Sequence, residues 1–251
     1  MNKLYAYLPC YNESGNIQAL IEGWLNEKET LLNKGFDLEI IPIDDKSTDN
    51  TLQIIQSMEK TYDTVRVIAH KTNQNLGGAL FTAIRDFLHN AESDDLMCFM
   101  DGDNTHKPQF VHSMISKSKE GAECVIASRY QPGATINGVP SNRLLLSDGA
   151  KLYYSMILRV PDVKDYTCGY RLYTYSILRR AYGKYKENLV TMHSFSCMME
   201  LLYKLHKSGC KFAEVPFTLY YDNKVGASKM RILRTVKDSL FVALDLRLHC
   251  K

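Results

Sequence analysis

The sequence predicts an α/β protein with a central, mostly parallel β-sheet flanked by helices. From residue 3 to about residue 129, short apolar runs alternate with longer segments whose apolar residues recur at helical spacing. The chain has 251 residues, of which 45% are hydrophobic and 24% charged, as in an ordinary globular domain. No internal repeat, low-complexity tract or linker divides it. We therefore expect a single domain over residues 1–251.

The first half of the chain supplies most of the predicted sheet. The predicted strands cover residues 4–8, 38–43, 65–69, 96–100 and 124–127. Apolar residues at helical spacing predict a helix after each of the first three strands, namely Ile17, Leu20, Ile21, Trp24 and Leu25, then Leu52, Ile55 and Met58, then Leu80, Ile84 and Leu88. Each helix is expected to cover a face of the sheet.

The alternation weakens after residue 130. Residues 131–140 are rich in Gly and Pro and are expected to form a loop over a site. Further helices are predicted over about 143–158, 174–182, 195–207 and 230–248, with a strand over 212–220. The second half is therefore expected to build on the sheet of the first.

Charge and composition exclude several classes of protein. Lys and Arg number 31 against 28 Asp and Glu, and a net charge of +3 offers no strong field for nucleic acid. The longest apolar runs have about five residues, whereas a membrane span needs roughly 20. The seven cysteines form no Cys-x-x-Cys pair, and the N-terminus lacks a signal-like stretch. We expect reduced thiols, no nucleic-acid partner and a cytoplasmic protein.

Polar residues cluster where three of the predicted strands end. Ligands of open α/β sheets bind beyond the carboxyl ends of the strands, so these positions indicate where chemistry occurs. The clusters are Pro9–Glu13 after the first strand, Asp44–Asp49 after the second and Asp101–His106 after the fourth.

Asp101 and Asp103 carry the strongest chemical signal. Two carboxylates at the end of a buried strand can both turn toward one hard cation, Mg²⁺ or Mn²⁺, and Gly102 between them allows close approach of a ligand. Such an ion would keep open positions for a diphosphate. An acidic turn that caps the next helix explains the same residues, and Asp-x-Asp alone does not decide between the two.

The other strand ends indicate a nucleotide less specifically. Asp44 or Asp45 could accept a hydrogen bond from a nucleobase, and Tyr11 could stack on it. A turn followed by a helix N-cap explains the two Asp residues equally well. Arg129, after the fifth strand, would clamp a diphosphate or form a surface ion pair. No Gly-x-Gly-x-x-Gly, P-loop or Gly-x-Ser-x-Gly motif occurs, which argues against dinucleotide oxidoreductases, NTPases and α/β-hydrolases.

In their order and spacing these residues resemble the inverting family 2 glycosyltransferases of GT-A fold, and among them the dolichol-phosphate mannosyltransferase-like group. The matching blocks are Leu8–Glu13, Ile43–Thr51, Met100–His106, Ala127–Tyr130, Asp165–Arg171, Glu214–Pro216 and Gly226–Lys229. The resemblance implies a Rossmann-like GT-A domain. Its half 1–129 would bind a nucleotide-sugar and its half 130–251 an acceptor.

The resemblance also implies a role for each matching residue. The nucleoside would be held by Pro9, Tyr11, Glu13, Ile43 and Asp45. The metal and the diphosphate would be carried by Asp101 and Asp103, with Gly102 touching the nucleotide through its backbone. The donor phosphates would face Arg129 and Lys229, and the acceptor phosphate would meet Arg143 and Ser147.

Three departures from the family pattern concern the metal and the acceptor. Thr105 stands where those enzymes have a Gln that assists the metal, so coordination by Asp101, Asp103 and Thr105 would be looser or completed by water. Asn223 replaces the usual Arg, and Asp148 replaces a basic residue. The last two remove positive charge near the acceptor phosphate, which weakens the lipid-phosphate interpretation and leaves the transferase interpretation intact.

The implied reaction is displacement at the anomeric carbon of a hexose from a GDP- or UDP-sugar, with inversion. A polyprenyl or dolichyl phosphate acceptor is already an anion near neutral pH and needs no general base. A saccharide hydroxyl, as in cell-surface polysaccharide or glycolipid synthesis, needs a carboxylate within reach. Asp165 is the first candidate for that base and Asp148 the second. Alternatively, Asp165 is a turn residue paired with Arg171.

The C-terminal helix bears on the choice of acceptor. Ile232, Val236, Leu240 and Leu244 form a stripe, and the basic residues of this region are Lys229, Arg231, Arg234, Lys237 and Arg247. A basic amphipathic helix can lie on an anionic membrane, which would make the protein peripheral on the cytoplasmic membrane face. Packing on its own domain is the alternative.

Two further functions remain open. The fold could serve as a non-catalytic nucleotide-sugar-binding subunit, although the intact Asp101 and Asp103 count against that. It could also serve a sugar nucleotidyltransferase, but a Gly-rich N-terminal loop bearing Arg or Lys is absent from the sequence.

Overall fold

The computed structural model describes residues 1–139, 141–220 and 232–250, with the backbone alone for 141–147 and 232–239. The strands are β1 (Asn2–Cys10), β2 (Phe36–Asp44), β3 (Ile68–Ala69), β4 (Leu96–Phe99), β5 (Cys124–Ser128), β6 (Thr135–Asn137), β7 (Arg171–Thr174), β8 (Phe212–Pro216) and β9 (Thr218–Tyr220). The helices are α1 (Ile17–Asn26), α2 (Lys28–Asn33), α3 (Thr51–Thr61), α4 (Asn75–Asn90), α5 (Val111–Lys119), α6 (Ser141–Leu158), α7 (Tyr175–Tyr185), α8 (Ser196–His206) and α9 (Ile232–His249).

Seven strands form one sheet in the order β3-β2-β1-β4-β7-β5-β8. All pairs are parallel except those of β7, which lies antiparallel between β4 and β5. Residues 4–8 of β1 are buried on both faces, as expected for an inner strand that helices cover on each side. The predicted α/β fold with a mostly parallel sheet is confirmed.

Three of the predicted elements differ in the structure, and the strand β7 was not predicted. The predicted strand 65–69 narrows to β3, with an isolated bridge between Ile40 and Val65. The predicted loop 131–140 contains β6, which pairs with β9 in a separate two-stranded sheet. The predicted strand 212–220 divides at Phe217. Before it, β8 pairs with β5 in the main sheet, whereas the Phe217 carbonyl already accepts from the Thr135 amide of β6.

A buried ion pair on α8 holds the segment before it against α4. Glu200 accepts hydrogen bonds from the backbone amides of Thr191 and Met192 at 2.9 and 2.8 Å, and from Lys204 Nζ at 2.5 Å. The next residue, His193, accepts from the Gly77 amide at 3.1 Å through its carbonyl. A Cβ added to Gly77 would lie 1.8 Å from the carbonyl oxygen of Met192. Gly77 is therefore required by close packing of backbone on backbone.

Helix α9 packs on α6 and α8 and presents a second, apolar face to solvent. Ala243 and Leu246 are buried, and the Tyr153 hydroxyl of α6 donates to the Leu240 carbonyl at 2.9 Å. Leu244, predicted in the apolar stripe of this helix, is 43% exposed. The Ile232 and Val236 side chains of that stripe lie outside the described residues. Among the described helices none is both long and apolar enough to cross a bilayer.

The helices α6 and α9, which are in contact, both expose large apolar side chains, and we call this set of side chains the apolar face. Its members are Leu152 and Met156 on α6, and Phe241, Leu244 and Leu248 on α9. Spacings of three, four and seven residues place the members from each helix on one side of it. Half of the large hydrophobic residues that the described part of the chain exposes are in this set.

The two helical glycines Gly77 and Gly183 are expected to respond to the same substitution in opposite ways. Gly77→Ala should lower the free energy of unfolding by about 2–3 kcal/mol or more, because a backbone carbonyl occupies the space of the new methyl group. Gly183→Ala in α7 meets no atom within 4 Å and should raise it by up to about 1 kcal/mol. Urea denaturation of both variants measures the difference. Equal effects would contradict the packing of α4 on residues 191–193.

Candidate active site

The three polar clusters predicted from the sequence lie side by side at one edge of the sheet. Cys10 at the end of β1 pairs with Asp44 at the end of β2, and the Asp45 amide donates to the Cys10 carbonyl at 2.8 Å. On the other side of β1, the Met100 amide donates to the Tyr7 carbonyl at 3.1 Å. The sheet order β2-β1-β4 thus brings the loops after these strands together.

Hydrogen bonds join the loops after β1 and β2 into one unit. The Asn12 amide donates to Ser47 Oγ at 3.0 Å, and the Glu13 amide to Thr51 Oγ1 at 2.8 Å. Asp49 accepts from the Ser14 amide at 3.2 Å and from the Thr51 amide at 2.9 Å. Burial raises the pKa of Asp49, but the hydrogen bond from the Thr51 hydroxyl, together with those from the two amides, outweighs burial and lowers that pKa to about 2. Asp49 therefore remains a charged acceptor at neutral pH.

Each of the three loops contains a non-glycine residue in the left-handed region of backbone space. These are Asn12 with φ 55°, Lys46 with φ 62° and Asn104 with φ 58°. Such conformations cost free energy and persist where surrounding contacts impose them, often at ligand-binding sites. Their occurrence in all three loops supports a functional role for this edge of the sheet.

Asp45 is the most constrained of the predicted nucleoside-binding residues. Its Oδ1 is 2.8 Å from His70 Nδ1 and accepts from the Gln74 amide at 2.7 Å. Its carbonyl accepts from Asn73 Nδ2 at 2.8 Å, which ties the loop before α4 to the end of β2. The carboxylate is thereby held in one orientation.

The other predicted nucleoside-binding residues differ in exposure. Tyr11 is 40% exposed, so its ring is accessible to a ligand. Pro9 is half-buried, and Glu13 is buried and accepts from Asn16 Nδ2 at 2.7 Å. Ile43 is fully buried within β2, so its side chain supports this edge of the sheet from the core and does not line it.

Asp101 and Gly102 are fixed by backbone that passes very close to them. A Cβ added to Gly169 would lie 2.8 and 2.9 Å from the two carboxylate oxygens of Asp101. A Cβ added to Gly102 would lie 2.5 Å from the Pro9 carbonyl oxygen. Both glycines are therefore needed sterically, and the Gly in Asp-Gly-Asp has a structural reason independent of any ligand.

The Asp103 carboxylate is oriented by Thr105. Thr105 Oγ1 donates to Asp103 Oδ1 at 2.7 Å, and the Thr105 amide donates to the same oxygen at 3.2 Å. Thr105, predicted as a third metal residue, is buried. The neighbouring His106 ring stacks on Phe217 at 5.1 Å. Thr105 thus acts on Asp103 directly, and His106 belongs to the packing beneath the loop.

Asp101 and Asp103 fit a hard divalent cation with an incomplete protein coordination sphere. Both side chains are half-buried and offer oxygen donors only, which suits Mg²⁺ or Mn²⁺. In the described part of the chain no group of three or more His, Cys, Asp and Glu side chains could hold a metal ion. An ion here would therefore need further ligands from a diphosphate or from water.

Arg129 and Asp165 form a bidentate ion pair in which the Asp165 side chain is fully buried and the Arg129 side chain is 20% exposed. Arg129 Nε and Nη2 donate to the two Asp165 oxygens at 2.8 and 2.7 Å, and Asp165 also accepts from the amides of Arg129, Thr167 and Cys168. Burial would raise the pKa of the fully buried Asp165, but the Arg129 charge and these hydrogen bonds outweigh burial and lower it. Burial would lower the pKa of Arg129, and Asp165 raises it overall. Both groups therefore stay ionised at neutral pH.

The alternative expectation, an ion pair between Asp165 and Arg171, is wrong. Arg171 is fully buried at the start of β7 and donates to the carbonyl oxygens of Tyr166, Cys168 and Met198. The Asp165 loop is instead held from β8, where Glu214 Oε1 accepts from the amides of Lys164 and Asp165 at 2.7 Å each.

The remaining predicted site residues lie partly outside the described structure. Lys229, expected at the donor phosphates, and Asn223 are outside the described residues. Arg143 and Ser147, expected at the acceptor phosphate, lie on α6 where the backbone alone is described. Asp148 follows them on α6 and is exposed.

Sequence reasoning missed three residues of this site. His70 was a lone histidine without metal-ligand spacing, although its place just after a strand was a usable signal. Gly169 and Glu214 lay in matching blocks without an assigned role. Their contacts with Asp101 and with the Asp165 loop join residues far apart in the chain, so spacing along the sequence does not reveal them.

Comparison with known proteins agrees with this geometry. Residues 5–184 match the family model described as glycosyl transferase family 2. The chain is 29% identical over 217 residues to the dolichol-phosphate mannosyltransferase of Pyrococcus furiosus, covering 86% of this chain and 56% of that protein. It is 29% identical over 224 residues to the polyprenol monophosphomannose synthase of Mycolicibacterium smegmatis, covering 89% of this chain and 79% of that protein. The chain thus spans little more than half of the Pyrococcus relative.

Solved glycosyltransferase structures share the fold at low sequence identity. Glucosyl-3-phosphoglycerate synthase from Mycobacterium tuberculosis, crystallised with Mn²⁺, UDP and glucosyl-3-phosphoglycerate, superposes with a TM-score of 0.64 at 17% identity, covering 98% of this chain and 80% of that one. Mannosyl-3-phosphoglycerate synthase from Rubrobacter xylanophilus gives 0.64 at 16% identity, covering 99% and 75%. The fold is therefore GT-A. Because the family model spans well over half of the chain, the protein belongs to glycosyl transferase family 2.

Proposed function

We propose that the protein is a metal-dependent inverting glycosyltransferase that moves a hexose from a GDP- or UDP-sugar to a polyprenyl or dolichyl phosphate. The observation that carries this proposal is the juxtaposition of Asp45, Asp101 and Asp103 at one edge of the sheet. Two relatives that match most of the chain are named for mannose transfer involving dolichol phosphate or polyprenol phosphate, which supports the acceptor.

Residues of this chain would position the donor. Asp45 and Tyr11 would hold the base, and Asp101 and Asp103 would hold Mg²⁺ or Mn²⁺. When bound, the ion would neutralise the charge that develops on the departing nucleoside diphosphate. Gly102 lets backbone approach the nucleotide, and Arg129 and Lys229 would face its phosphates. Mn²⁺ and UDP in the Mycobacterium structure are consistent with such a donor site.

In this proposal Asp165 is a positioning residue for Arg129 and not a general base. It accepts five hydrogen bonds and is fully buried, so no lone pair remains for a substrate hydroxyl. A phosphate acceptor requires no base because it is already ionised. The state of Asp165 removes the first of the two candidate bases, Asp165 and Asp148, and so favours the lipid phosphate over a saccharide hydroxyl as the acceptor. Arg143 and Ser147 would meet its phosphate.

The acceptor also gives a role to the apolar face of α6 and α9. Exposed apolar side chains beside basic residues bind the interface of an anionic membrane, where a polyprenyl phosphate would be met. Arg247 and Arg159 are exposed on or next to these helices. We infer that the apolar face rests on the membrane surface during transfer.

The proposed reaction is tested by incubating the protein with Mn²⁺, a mixture of GDP- and UDP-sugars and a short polyprenyl phosphate. Mass spectrometry should detect a glycosylated lipid phosphate and the released nucleoside diphosphate. Asp103→Asn should lower the rate at least about 100-fold, because half of the carboxylate pair for the metal is lost. The control Asp63→Asn, on an exposed Asp before β3, should retain the wild-type rate. Full activity of Asp103→Asn would refute the metal role.

The role of Asp165 predicts strong coupling with Arg129. Asp165→Asn should lower the free energy of unfolding by about 3 kcal/mol at pH 7, since it leaves the guanidinium of Arg129, only 20% exposed, without its anion. Because the pKa of Asp165 is lowered in the folded state, its contribution is present above the unfolded-state pKa near 3.9 and is lost as the pH falls. The difference between wild type and variant should therefore shrink below about pH 4, as measured by urea denaturation.

Catalysis separates positioning from a direct role. If Asp165 acts only through Arg129, the double variant Arg129→Gln/Asp165→Asn should have about the same kcat as Arg129→Gln alone. A further large loss of kcat in the double variant would show that Asp165 contributes to chemistry itself.

The membrane role predicts a defect in binding to vesicles. Leu248→Ser removes a 73% exposed apolar side chain and should weaken binding to phosphatidylserine-containing vesicles about tenfold or more. Leu32→Ser on α2, also exposed, should bind like the wild type. Both substitutions are at the surface and should leave the unfolding temperature nearly unchanged. Equal sedimentation of Leu248→Ser and wild type with vesicles would refute the membrane role.

A further inference from the structure

We propose that the site selects a uridine over a guanosine nucleotide, because His70 holds Asp45 with a single carboxylate oxygen open to the base. This inference rests on the proposed function, in which Asp45 meets the base of a nucleotide-sugar. It goes further by naming the base and by assigning His70 as a positioning residue for specificity.

Two hydrogen bonds to one oxygen orient the Asp45 carboxylate. Oδ1 is bound at 2.8 Å by His70 Nδ1 and at 2.7 Å by the Gln74 amide. A carboxylate oxygen has two in-plane lone pairs, and His70 and the Gln74 amide use both, so a third donor would have to share one of them in poorer geometry. Oδ2 accepts no hydrogen bond from any residue that the structure describes. The side chain is only 5% exposed, so neither oxygen can turn away from its surroundings freely.

The His70 ring is held in place at both of its nitrogens. Its Nδ1 faces a carboxylate and must carry a proton, and its Nε2 lies 3.0 Å from Thr82 Oγ1 on α4. Both ring nitrogens are therefore bound and the residue is buried. His70 connects Asp45 to the body of α4, so the orientation of the carboxylate is set before any ligand arrives.

The four bases differ in the hydrogen-bond donors that they present to a carboxylate. Guanine presents two adjacent N–H donors, N1–H and N2–H, whose best partner is a carboxylate with both oxygens available. Uracil presents one imide N–H, which a single oxygen satisfies. Adenine and cytosine present a ring nitrogen acceptor at the same edge, which faces the carboxylate unfavourably. With both lone pairs of Oδ1 in use, one of the two guanine donors would be poorly paired in a desolvated site, and this weakens binding.

Asp45 lies beside a surface on which a base can stack. The Asp45 amide donates to the carbonyl of Cys10, the last residue of β1, and the next residue in the chain is the 40% exposed Tyr11. A base stacked on Tyr11 would place its hydrogen-bonding edge toward the end of β2. Oδ2 is the acceptor that remains available there.

The test is isothermal titration calorimetry of the full chain with UDP and with GDP, each in the presence of excess Mn²⁺. The wild type should bind UDP at least about tenfold more tightly than GDP, because one of the guanine donors is poorly paired in the site. His70→Leu frees a lone pair of Oδ1 and should lower this ratio at least about fivefold. His70→Asn retains an N–H donor near the position of Nδ1 and should keep most of the ratio.

A matched control separates this effect from the loss of any histidine–carboxylate pair. His112 Nε2 lies 2.7 Å from Glu27 Oε2 at the C-terminal end of α1, away from the carboxyl ends of the strands. His112→Asn should leave the UDP-to-GDP ratio unchanged. Thermal unfolding of each variant checks that it is folded, and the wild-type ratio alone can decide the base if His70→Leu does not fold.

The outcomes distinguish the two proposals. If the wild type binds GDP as tightly as UDP or more tightly, the inference about the base is overturned and the proposed transferase function stands. If UDP is preferred but His70→Leu retains the full ratio, the role of His70 is overturned. If neither nucleotide binds with Mn²⁺ present, the proposed function itself is overturned.

Discussion

The ion pair between Arg129 and the buried Asp165 is the interaction on which the two halves of the structure depend. Arg129 directly follows the strand β5 of the first half, and Asp165 lies on the segment that leads from α6 into β7. An ion pair removed from water is stable only when its remaining hydrogen-bonding capacity is satisfied. Here three backbone amides complete the shell of Asp165, and Glu214 on β8 holds the amide of Asp165 itself. The charge pair therefore fixes backbone as well as side chains.

This constraint reaches the acidic residues through β7. The segment that Asp165 anchors continues into Gly169, which closes on the Asp101 carboxylate, and then into β7 beside β4. Because β7 is antiparallel to β4, the residues before β7 lie next to those after β4. A single antiparallel strand in a parallel sheet thus carries part of the second half to the carboxyl ends of the first. The position of Asp101 consequently depends on an ion pair whose two members lie 28 and 64 residues away in sequence.

The sequence predicted β1, β2, β4 and β5 well because each contains a buried apolar run, and buried parallel strands give the strongest pattern. It also located the three polar loops, since their residues follow directly after those strands. It did not predict β7, whose residues Arg171–Thr174 mix charged and polar with apolar side chains and run straight into α7. It did not predict the partner of Asp165 either, because Arg129, Arg143 and Arg171 are alike in sequence and differ only in what surrounds them. The guanidinium of Arg171 donates to three backbone carbonyl oxygens, and only the folded chain brings those oxygens around it.

The arrangement of α6 connects the chemistry of the site with the proposed lipid acceptor. Arg143 and Ser147 lie in the first half of this helix, whereas the exposed Leu152 and Met156 lie in its second half. With a rise of 1.5 Å per residue, the backbone of residue 143 is about 20 Å from that of residue 156. A phosphate bound near the start of α6 could therefore have its hydrocarbon chain run along the helix toward the apolar face shared with α9. A saccharide acceptor would have no use for this apolar path. Because the Asp165 carboxylate has no lone pair left to act as a base, the site also suits a nucleophile that is already ionised. In the proposed function, the same helix thus recognises both ends of a polyprenyl phosphate.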